Sequence, residues 1–129
     1  MIERFITQLS KDLELPRELP PKSAGVYFLP LEEDLQIQIN GRDGIIQFSS
    51  SIAEVPQKNQ EDFLEKMMNA NLFGQGTYGA TLGLNEEGKI LTLQRTLDYP
   101  IEYNGFKDSL EDFINAIDLW REEATTSGV

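Results

Sequence analysis

Three glycines, Gly74-x-Gly76-x-x-Gly79, have the spacing of the fingerprint that cradles a dinucleotide pyrophosphate. That chemistry needs a strand before the glycines and a helix after them, so that the phosphates meet a helix N-terminus. Here the pattern is inverted: a helical stretch precedes and a strand-like stretch follows. The glycines are read instead as the sharp exit from a helix into a sheet, where positive φ is cheap. Paired acids are the second candidate: Glu32-Glu33-Asp34, Glu61-Asp62, Glu86-Glu87, Glu111-Asp112 and Glu122-Glu123. Carboxylate pairs can move protons or hold hard cations. None of these has the alternating spacing of a calcium loop. They fall at helix starts, turns and solvated faces, where acids are at home. Histidine and cysteine are both absent. That removes the usual general base, the thiolate nucleophile and the commonest metal ligands. A serine with a histidine partner is impossible, and no motif supports a serine–lysine or carboxylate mechanism. The expectation is a protein without catalytic residues, metal or cofactor.

The chain has 129 residues, 22 acids against 11 bases and a formal net charge of −11. That length fits one domain, expected over residues 1–124 with a flexible tail over 125–129. The charge would repel a phosphate backbone, which excludes nucleic acid, and it favours solubility and basic partners. Met1-Ile2-Glu3-Arg4-Phe5 opens an amphipathic pattern, not the apolar run of a signal peptide. No stretch approaches the ~20 apolar residues of a membrane span. The expected location is the cytoplasm.

The elements follow from periodicity. Ile2, Phe5, Ile6, Leu9 and Leu13 recur at helical spacing, and the helix must end before Pro16. Leu15 to Lys22 is a proline-rich connector. Val26 to Leu29 reads as a strand. Leu35, Ile37 and Ile39 alternate with Gln36, Gln38 and Asn40, the period of a second strand. Asn40-Gly41 and Asp43-Gly44 are turn signals leading to a third strand, Ile45 to Ser51. A second helix spans about Glu61 to Asn71, with Phe63, Leu64, Met67 and Met68. Ala80 to Leu84 and Lys89 to Leu97 make a hairpin around Asn85-Glu86-Glu87-Gly88. A last helix, starting between Asn104 and Ser109, carries Phe106, Leu110, Phe113, Ile114, Ile117 and Trp120. The order is α-β-β-β-α-β-β-α, which gives an α+β fold with an antiparallel sheet and flanking helices.

Residues 63–84, Phe-Leu-Glu-Lys-Met-Met-Asn-Ala-Asn-Leu-Phe-Gly-Gln-Gly-Thr-Tyr-Gly-Ala-Thr-Leu-Gly-Leu, form the most telling block. With Gly88 to Leu97 and the closing helix, it resembles the class I, effector-binding chaperones of bacterial type III secretion, the Tir chaperone-like family. The resemblance runs from Ile2 to about Trp120, and the proline-rich stretch before the first strand departs from it. It implies a cytoplasmic homodimer joined through the central helix and a neighbouring strand. Each dimer would bind the extended N-terminal segment of a secreted effector and keep it soluble and secretion-competent. Components of the secretion apparatus are further possible partners.

For the dimer contact the candidates are Leu64, Met67, Met68, Leu72 and Leu82, with the strand Thr81 to Leu84 or Lys89 to Thr92 beside them and plain core as the alternative for the helix residues. For effector binding they are Phe5, Leu9, Leu35, Ile37 and Ile39, with plain core as the alternative for each. A dimeric adaptor of the same fold acting outside secretion is the competing function. A small carboxylate enzyme is a second competitor, and it would need two carboxylates of raised pKa in one concavity.

Overall fold

The computed structural model describes residues 2–74, 76–97 and 100–127. Met1, Gln75, Asp98, Tyr99, Gly128 and Val129, which touch the expected N-terminal, glycine-loop, connector and tail segments, lie outside the described residues. The element order is α1 (Ile2–Asp12), β1 (Val26–Glu32), β2 (Leu35–Arg42), β3 (Ile45–Glu54), α2 (Gln60–Phe73), β4 (Thr81–Leu84), β5 (Ile90–Leu97) and α3 (Tyr103–Ser127). All five strands join one antiparallel sheet in the order β1-β2-β3-β5-β4.

One face of that sheet is apolar because the strands alternate. Leu35, Ile37 and Ile39 of β2, Ile46 and Phe48 of β3, and Leu91, Leu93 and Leu97 of β5 are all buried. Helices cover this face. In α1, Ile2, Phe5, Ile6 and Leu9 are buried at helical spacing. In α3, Phe106, Leu110, Phe113, Ile117, Trp120 and Ala124 form one buried stripe. Aromatic rings knit the layers: Phe5 to Phe106 at 5.0 Å, and Phe48 to both Phe106 and Phe113 at 5.6 Å. The opposite face carries Gln36, Gln38, Ser49, Thr92 and Gln94.

Several element ends differ from the periodicity. The strand expected over Val26 to Leu29 runs on to Glu32, through Pro30. β1 is an edge strand, where a missing N–H costs no ladder bond. Asn40-Gly41 is not a turn: β2 continues to Arg42, and the reversal is at Asp43-Gly44, both at positive φ (54° and 76°). Gly41 is a packing glycine. A Cβ there would come within 2.6 Å of the Ile2 Cβ. At the other end, α3 continues to Ser127, into the segment expected to be the tail. The Thr125 and Thr126 hydroxyls donate to the carbonyls of Arg121 and Glu122, and Ala124 is buried.

Candidate functional site

The strongest anomaly is on α2. Phe63, Met67 and Ala70 turn inward at helical spacing, and Phe63 meets Trp120 edge-on at 6.0 Å. The next stripe, Leu64, Met68 and Leu72, turns outward. Leu64 is half-buried against the core, whereas Met68 is 66% and Leu72 75% exposed. Leu84, 38% exposed, adds to the apolar surface from β4. Large aliphatic side chains left in water at this spacing are the signature of an interface.

Two contacts fix how this surface is presented. Asn71 is hydrogen-bonded to both backbone groups of Leu82: its Nδ2 donates to the Leu82 carbonyl and its Oδ1 accepts from the Leu82 N–H, both at 2.8 Å. The helix then stops at Gly74, in the left-handed conformation that glycine adopts without a Cβ penalty. Beyond it, Trp120 Nε1 donates to the Gly76 carbonyl at 2.9 Å and Arg95 Nη1 to the Tyr78 carbonyl at 2.9 Å. The glycines thus serve the helix-to-sheet exit.

Behind α2, toward α3, lies a cleft of about 330 Å³ lined by Ala70, Phe73, Gly76, Leu119 and Trp120. Lys66 and Glu123 bridge it at 2.6 Å. On the helix-free face of the sheet a shallow groove of about 480 Å³ runs past Phe28, Gln36, Gln38, Ser49, Thr92 and Gln94. The Lys22 ammonium stands 5.9 Å from the Phe28 ring centroid. The adjoining β1 margin is partly closed. Val26 is bonded outward to Lys22 and Ser23, so by alternation Phe28 and Pro30 also point their backbone groups out of the sheet. Pro30 contributes a carbonyl only.

The residues singled out in the sequence separate on burial. Leu64, Met68 and Leu72 share the outward stripe of α2. Met67 (8% exposed) and Leu82 (3%) are in the core beneath it. Phe5, Leu9, Leu35, Ile37 and Ile39 are all core side chains, between 0% and 3% exposed. Their clean periodicity marks the sheet-facing side of α1 and the helix-facing side of β2. Phe28 and Phe73 were not among the candidates. Phe73 had a signal, since adjacent Leu72-Phe73 at a helix end cannot share one face.

Among the described residues the charges form ion pairs at the surface. Lys107 lies 3.5 Å from Asp12, Arg95 3.9 Å from Asp112, and Arg121 3.8 Å from Glu32 and 3.9 Å from Asp34. Asp12 also accepts a hydrogen bond from the Tyr103 hydroxyl at 2.6 Å. That bond and the one from Gln8 hold the Asp12 carboxyl below the usual range, while burial pushes the Tyr103 hydroxyl up. Glu3 is held low first by its own backbone amide. These displacements are the reverse of a raised catalytic carboxyl. Among the described residues no group of three or more acids could hold a metal ion, and no helix is long and apolar enough to cross a membrane.

Residues 4–121 match the Tir chaperone protein (CesT) family. This chain belongs to that family. A Chlamydia pneumoniae relative, CPj0713/CpB0740, is 29% identical over 122 residues, covering 93% of each chain. The ExsC–ExsE complex contains a chain of the same fold, with TM-score 0.73 and 10% identity, over 95% of this chain and 92% of that one. The Yersinia pestis type III secretion chaperone SycH, solved with a stable fragment of YscM2, gives TM-score 0.70 and 12% identity, over 92% of this chain and 99% of that one. Membership of the CesT family accounts for the α-β-β-β-α-β-β-α order.

Proposed function

We propose that this CesT-family chain is a cytoplasmic type III secretion chaperone that works as a homodimer and performs no catalysis. It binds the extended N-terminal segment of a secreted effector and keeps it soluble until export. Family membership over residues 4–121 carries this reading. The exposed apolar stripe of α2 supports the dimer, because Met68 and Leu72 gain most by being covered. The surplus of acids keeps the remaining apolar surface dispersed.

The effector is assigned to the groove beside β1. Phe28 offers an apolar surface there, and the glutamines, serine and threonine offer donors and acceptors to a polar main chain. The outward backbone groups of Phe28 and Pro30 could take three hydrogen bonds from an extended segment, enough to orient it. Ordering the segment offsets part of the gain.

The test is purification of the tagged full chain from its own cells, with mass spectrometry of what accompanies it. A secreted protein protected from protease near its N-terminus is the expected companion. Phe28→Asp should release that protein while the chain stays folded and dimeric. Undiminished binding by Phe28→Asp would remove the groove from the account.

A further inference from the structure

β4 is the short strand at one end of the sheet, and an edge strand invites pairing with another chain. Its outward groups can be read from the ladder. Asn85 N–H bonds to Ile90 O, so Gly83 and Thr81 face β5 while Leu82 and Leu84 face outward. Asn71 already holds both outward groups of Leu82, at 2.8 Å each. One residue earlier in the outward series, the Ala80 N–H is taken by the Thr77 carbonyl. Among the described residues of β4, Leu84 alone has outward backbone groups that no partner takes. A single residue cannot carry a ladder.

We propose that the Asn71 side chain acts as a one-residue strand substitute that closes the β4 edge, so that a second copy of this chain docks through α2 side chains and not through a shared sheet. The occupant rests on the homodimer proposed above. Its place follows from the page: Leu64, Met68 and Leu72 lie on the same helix as Asn71, and the two bonds to Leu82 set the rotation that turns them outward. Asn71 is therefore a positioning residue for the interface and a guard of the backbone beside it. Asparagine suits both bonds because its amide carries a donor and an acceptor at the spacing of a peptide group.

Amide hydrogen exchange by NMR, with sedimentation of the same full-length samples, tests this. In the wild type the Leu82 amide should be protected and the Leu84 amide should exchange freely, in a dimer. Asn71→Ala should speed Leu82 exchange by roughly tenfold or more, and should give species larger than a dimer as concentration rises. Asn71→Asp keeps the acceptor for the Leu82 N–H and loses the donor, so Leu82 should stay protected. A Leu84 amide protected in the dimer but free in the Met68→Glu monomer would show a shared sheet and overturn the inference. So would Leu82 exchange that Asn71→Ala leaves unchanged. A wild-type monomer would sink the homodimer reading instead, while leaving the Leu82 measurement interpretable.

Discussion

Truncating Leu72 to alanine should separate the proposed dimer without harming the subunit. In the isolated chain this side chain is 75% exposed, so removing it costs the monomer little. Surface substitutions of that kind stay within about ±0.5 kcal/mol. Full burial of a leucine is worth about 1.5–3 kcal/mol, and three-quarters of that is about 1–2 kcal/mol per subunit. A two-fold dimer counts the loss twice, giving about 2–4 kcal/mol. The dissociation constant should rise roughly 30- to 1000-fold. Sedimentation equilibrium across a wide concentration range reads this directly, and thermal unfolding at the lowest concentration checks the monomer. Dimers of unchanged affinity, or a monomer that melts much earlier than wild type, would refute the assignment of Leu72 to the interface.

The remaining predictions concern the fold that presents that interface. Gly41→Ala should destabilise the chain by about 1–3 kcal/mol, because the new Cβ meets Ile2 at 2.6 Å and α1 must shift; chemical denaturation measures it. Asp12 has a lowered folded pKa, so its contribution is present above the unfolded value near 3.8 and lost as pH falls through the folded one. Tyr103→Phe should raise the Asp12 pKa toward its ordinary value and move the onset of acid unfolding to higher pH, read by carboxyl NMR titration. Tyr103 has a raised pKa, so its contribution persists below about pH 10 and fades in stronger alkali, a loss that the same variant should abolish.

The order of elements was legible because several of them, α1 and β2 above all, have a clear period. Ile2, Phe5, Ile6 and Leu9 can only be one face of a helix, and Leu35, Ile37 and Ile39 only one face of a strand. A perfect period identifies a face that something covers, and here the covering element is the chain itself. Leu72 and Phe73 were informative for the opposite reason, since neighbours on a helix cannot both face inward. The Asn40-Gly41 signal misled because glycine serves close packing as well as turns, and only the three-dimensional approach of Ile2 tells the two apart. Pro30 was tolerated in a strand because that strand lies at the sheet edge, a fact of topology. The Asn71 clasp depends on contact across a loop and has no periodicity to betray it.

Native mass spectrometry of the chain purified with its companion, joined to hydrogen exchange on the same complex, bears most directly on what this protein does. The expected species holds two copies of the chain and one secreted protein, with exchange slowed along β1 at Phe28 and along the companion's N-terminal stretch. A lone monomer, or a complex that leaves both regions as open as in the free proteins, would contradict a chaperone that carries its cargo in the sheet groove.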